Sequence, residues 1–105
     1  MDVTTAKDQH NQHALLDVRE QPEWDAGHIA GAVHIPMTEL NSRQQEVPSD
    51  RPIVCVCRSG QRSAMVTQAL VGAGYDAHNL EGGMLAWAEA REPIVTDDGS
   101  PGTVV

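Results

Sequence analysis

Cys57 stands where an apolar run ends and a polar one begins. Val54-Cys55-Val56-Cys57 reads as a buried strand, and Arg58-Ser59-Gly60-Gln61-Arg62-Ser63 reads as a glycine-containing loop entering a helix. That order puts the thiol at the carboxyl edge of a parallel sheet and over a helix N-terminus. Unpaired backbone N–H groups and the positive end of the helix macrodipole there favour a thiolate and attract an anion. Arg58 and Arg62 add two positive charges to a chain that carries 15 acidic against 7 basic residues and a formal charge of −8. The expected chemistry is nucleophilic attack by a Cys57 thiolate on a small anionic sulfur compound. Its candidate binding groups are the loop amides and cationic side chains of Arg58, Ser59, Gly60, Gln61, Arg62 and Ser63.

Other reactive residue types read as structural. Cys55, between Val54 and Val56, is a small buried hydrophobe. A bridge from Cys55 to Cys57 would close a tiny loop at the upper limit of disulfide geometry, so neither cysteine is expected in one. His10 and His13 with Asp8 fall on an N-terminal segment expected to fray, which makes them solvated groups rather than a metal site. Gly72-x-Gly74-x-x-Ala77 follows a helix and precedes a strand, the reverse of the dinucleotide-binding order, and reads as a turn. Asp17, at a strand end, is expected to hydrogen-bond nearby loop or backbone groups. Arg19 either pairs with Glu20 or Glu23 or faces the anion, since both roles need the same side chain. Trp24 and Trp87 read as packing residues.

The elements that position Cys57 follow from periodicity. Short apolar runs at 14–18 and 52–57 predict strands covered on both faces, with weaker candidates at 32–35 and 77–80. Apolar residues at three- and four-residue spacing predict a helix over 61–73, stopped by Gly74, with further helices over 83–90 and 38–46. Alternating strands and helices make an α/β domain with a parallel sheet. At 105 residues the chain is one domain, able to bury about 65% of its surface. The domain is expected over 1–95, and residues 96–105, with almost nothing to bury, form a mobile or surface-laid tail.

Composition excludes partners. No Phe, one Tyr and two Trp leave an aliphatic core and no base-stacking surface, and the negative charge repels nucleic acid and anionic membranes. The longest apolar run, 53–57, is too short for a signal peptide or a spanning helix, so a reducing cytoplasm is the expected setting.

The loop Cys57-Arg58-Ser59-Gly60-Gln61-Arg62-Ser63 resembles the active-site loop of the single-domain rhodaneses, a family of sulfurtransferases. Leu16-Asp17-Val18-Arg19-Glu20, Glu23, Gly27-His28-Ile29, Gly31-Ala32 and Ile35-Pro36 resemble the family's first signature. Asn79-Leu80-Glu81-Gly82-Gly83-Met84 with Trp87 resembles its final turn and helix. The resemblance runs from about residue 15 to residue 93. It implies a sheet of about five parallel strands flanked by helices on both faces, with no metal or organic cofactor. It also implies a Cys57 persulfide that takes sulfur from a donor such as thiosulfate and yields it to cyanide or a thiol. His28 becomes a structural loop residue. A second reading is a non-catalytic or relay module that receives sulfur from a partner protein, although modules that only bind commonly lack the cysteine. Related phosphatases and arsenate reductases carry C-x5-R. Here Arg62 stands one position earlier, and the tighter loop resembles the sulfur-transferring branch.

Overall fold

The apolar runs form four short parallel strands, β1 (Ala14–Asp17), β2 (Val33–His34), β3 (Ile53–Val56) and β4 (Ala77–Asn79), in a computed structural model that describes residues 1–105. Their order in the sheet is β2-β1-β3-β4. Every residue of β3 is buried, as a central strand covered on both faces must be. Its side chains alternate between two cores with the period of two that strands impose. Ile53, Cys55 and Cys57 join Leu16, Val18, Ile35, Val66 and Leu70 on one face, while Val54 and Val56 join Ala6, Ile29, Leu80, Met84 and Trp87 on the other. Helix α3 (Gln61–Gly72) covers the first face; α1 (Val3–Asp8) and α4 (Gly83–Glu89) cover the second.

From β1 the chain passes through α2 (Gln21–Ala26) to β2 on one side. It then returns past β1 to place β3 on the other, with Asp17 opposite Val56 at the carboxyl ends. The strand order reverses there, and such a switch point opens a crevice beyond the strand ends. Cys57 is the next residue.

Several expectations are corrected. The sheet has four strands, not five: the further pairings, Val95 with His28 and Val95 with Pro101, are isolated bridges. The helix expected over 38–46 is two 3-10 turns, Met37–Glu39 and Gln44–Glu46. Ser42 Oγ donates to the Glu39 carbonyl between them at 3.0 Å, the local side-chain competition that shortens helices. The N-terminal segment packs on the domain: Asp2 caps α1 by accepting from Thr5 N–H at 2.8 Å, Ala6 is buried, and His13, expected to be solvated, is buried with its Nε2 unpartnered, while His10 is exposed. Helix α2 lay outside the sequence reading, although Glu20 and Glu23 form a capping box at its start. Residues 96–105 lie against the domain surface, with Gly102 N–H donating to Ile94 and Thr103 N–H donating to Ala26.

Candidate active site

The loop after β3 is shaped from outside by α4. Met84 N–H donates to the Cys57 carbonyl at 2.8 Å and Leu85 N–H to the Arg58 carbonyl at 3.0 Å. A planar trans peptide whose carbonyl is held on the outside turns its N–H to the inside. Gly83 permits this approach: a Cβ there would strike the carbonyl oxygens of Cys57 and Arg58. Gly60, at φ 98°, then turns the chain through the left-handed region into α3. Its carbonyl is held by Asn79 Nδ2 at 3.0 Å.

The inward groups converge on one atom. Gly60 N–H lies 3.1 Å, Ser63 Oγ 3.2 Å and Ser63 N–H 3.4 Å from Cys57 Sγ. Burial opposes ionisation of this thiol, but hydrogen bonds from Ser63 Oγ and from the amides of Ser63, Gly60 and Ser59 outweigh it and hold its pKa below the ordinary thiol value. Cys55, two residues earlier, shows burial unopposed by such a ring: desolvation pushes its thiol up to about 11, against a minor contribution from Thr67. Both cysteines are free.

The two loop arginines are placed differently. Arg58 is exposed, and its Nε donates to the Val105 carbonyl at 3.0 Å. Arg62 is half-buried and forms a bidentate pair with Glu23 of α2, both contacts at 2.8 Å. That pair raises the Arg62 pKa and lowers that of Glu23. Ser59 and Gln61 have exposed side chains, so Ser59 contributes through its amide.

Asp17 and Arg19 stand apart from the sulfur cradle as a buried pair, with side chains 1% and 0% exposed. Arg19 donates through Nε and Nη2 to the Asp17 carboxylate, through Nη2 to the Gly27 carbonyl at 2.8 Å and through Nη1 to the Glu23 carbonyl. The guanidinium is fully buried and ties α2 to the end of β1. His28 is likewise buried, donates from Nδ1 to the Trp24 carbonyl at 2.9 Å and stacks on the Trp24 ring at 3.5 Å.

Two site residues lay outside the sequence reading of the site. Asn79 ends β4 at the same sheet edge as Cys57, and its Oδ1 lies 2.6 Å from Ser63 Oγ. Glu23 meets Arg62 across 39 residues of sequence. The strand end of Asn79 was a usable signal; nothing local marks the second contact.

A family model described as rhodanese-like domain matches residues 2–90. The chain is 41% identical over 86 residues to a sulfurtransferase of Allochromatium vinosum, a match covering 81% of this chain and 80% of that one. It is 45% identical over 83 residues to the probable adenylyltransferase/sulfurtransferase MoeZ of Mycobacterium tuberculosis, covering 76% of this chain and 21% of the relative. It thus spans about a fifth of that relative's length. Among solved structures, a rhodanese-related protein from Thermoplasma volcanium matches with a TM-score of 0.88 at 29% identity, covering 92% of this chain and 97% of that one. No helix is long and apolar enough to cross a membrane.

Proposed function

The chain belongs to the rhodanese-like domain family, and on that premise we propose that it transfers sulfur through a persulfide on Cys57. The observation that carries the reading is the convergence of Gly60 N–H, Ser63 N–H and Ser63 Oγ on the Cys57 sulfur. Relatives named sulfurtransferases at about 40% identity support the activity class.

In the first half-reaction the Cys57 thiolate attacks the outer sulfur of the donor. The Sγ–S bond forms, the donor's S–S bond breaks, and the leaving group departs with the electron pair, as sulfite when the donor is thiosulfate. In the second, cyanide or a thiolate attacks the outer sulfur of the persulfide. Cys57 leaves as a thiolate, a step made easier by the same hydrogen bonds that lower its pKa. The C-x4-R spacing favours sulfur over phosphoryl chemistry, because a tight ring of donors suits a terminal sulfur better than a tetrahedral phosphate. A reducing cytoplasm, which keeps Cys57 free, is the setting that suits this cycle, with a small anionic donor or a relay protein supplying the sulfur.

The test is sulfur transfer from thiosulfate to cyanide by the wild type, Cys57→Ser and Cys55→Ser. The reading predicts activity in the wild type, none in Cys57→Ser and most of it in Cys55→Ser. Equal loss in both variants, each still folded, overturns it.

A further inference from the structure

We propose that Glu23 sets the donor selectivity of the Cys57 cradle, turning it against dianionic donors such as thiosulfate and toward persulfides that carry at most one charge. The inference deepens the sulfur-transfer reading and rests on it.

Both terminal nitrogens of Arg62 donate to the Glu23 carboxylate at 2.8 Å, with side chains 31% and 17% exposed. Glu23 is itself fixed from behind, because its Oε1 accepts from Glu20 N–H at 3.0 Å in the box that caps α2. The carboxylate cannot swing away from Arg62 without uncapping that helix. Negative charge at Cys57 adds to that of Glu23 in raising the Arg62 pKa. With Cys57 ionised, Arg62 already faces the negative charges of Glu23, Cys57 and Glu20, and the loop's other cation, Arg58, is exposed and turned to the Val105 carbonyl. A dianion therefore enters a cradle with no net positive charge on a chain of formal charge −8, whereas a persulfide carries less charge into it. The rest of the Arg62 fork stays free to orient either donor.

The favoured step needs no external oxidant or reductant. The Cys57 thiolate attacks the terminal sulfur of R–S–SH, the Sγ–S bond forms, and the donor's S–S bond breaks with the electron pair leaving on RS⁻. The proton on the transferred sulfur stays there or passes to RS⁻.

Glu23→Gln tests the proposal, because Gln keeps an acceptor for Glu20 N–H and for Arg62 while removing the charge. Steady-state kinetics with thiosulfate and with an alkyl persulfide, alongside the unfolding midpoint, give the readout. The expected result is a kcat/KM for thiosulfate raised about three- to tenfold through KM, the scale of one part-exposed charge, with the gain shrinking in high salt. The persulfide value should move less than about twofold, since it carries less charge for Glu23 to act on. An unchanged or lowered value for thiosulfate in a folded Glu23→Gln protein overturns the proposal and leaves Glu23 as a positioning residue only. If Glu23→Gln alone does not fold, Arg62→Gln and Glu23→Gln/Arg62→Gln decide: the double variant must exceed the single one with thiosulfate, and failure to do so overturns the selectivity role. A wild-type protein that takes sulfur from neither donor overturns the sulfur-transfer reading and this proposal together.

Discussion

The Ser63 hydroxyl lies 3.2 Å from the Cys57 sulfur and 2.6 Å from Asn79 Oδ1. One proton thus serves two acceptors, and Asn79 competes with the nucleophile for it. When Cys57 becomes a thiolate, the charged acceptor is the stronger partner, so Ser63 favours the ionised form over the neutral one.

Ser63→Ala should therefore raise the Cys57 pKa, because burial already pushes this thiol up and the Ser63 hydroxyl is one of the donors that oppose it. The acid limb of the pH profile for alkylation of Cys57 should move to higher pH. An unmoved limb would mean that the backbone amides alone set the ionisation.

Gly83→Ala should damage turnover more than folding. A Cβ at Gly83 meets the Cys57 and Arg58 carbonyls, so the loop must shift and its amides lose their common focus. A displacement of about 1 Å can cost about a hundredfold in rate. Wild-type kcat/KM in the folded variant would show that α4 does not shape the cradle.

Arg19→Met should be among the most destabilising single changes. It leaves the Asp17 carboxylate buried and unpaired, at a cost of about 3–5 kcal/mol. Replacing both partners, Asp17→Leu with Arg19→Met, should cost less than Arg19→Met alone in urea unfolding. The opposite order would show that the pair is not the main restraint on α2.

What the sequence made legible has a physical pattern. Ile53 to Val56 announce a strand buried on both faces, and the change to polar residues at Arg58 marks where it stops, so the position of Cys57 was readable without coordinates. The three- and four-residue spacing of Val66, Ala69, Leu70 and Ala73 marks α3 in the same way. Arg19 was not readable, because an arginine that turns inward has the same letter as one that faces solvent; its role depends on α2 wrapping carbonyls around it. The Glu23–Arg62 pair joins two elements far apart in sequence. The tail is held largely by backbone hydrogen bonds, which leave no side-chain signature.

Removing residues 96–105 should lower stability, although the composition of that segment reads as dispensable. The truncation deletes the hydrogen bonds from Gly102 and Thr103, the Asp97 partner of the Trp24 indole N–H at 3.2 Å, and the packing of Val104 on the α4 face. A loss of about 1–2 kcal/mol corresponds to a fall of about 5–15 °C in Tm for a domain of this size. An unchanged Tm would show that the tail contributes nothing to the fold.

The most direct measurement is intact and peptide mass spectrometry of the protein after incubation with a sulfane-sulfur donor. The account predicts one added sulfur atom, located on the peptide at Cys57, removed on addition of cyanide or a thiol, and absent in Cys57→Ser. Sulfur found on Cys55, or no added sulfur with either thiosulfate or an alkyl persulfide, would contradict it.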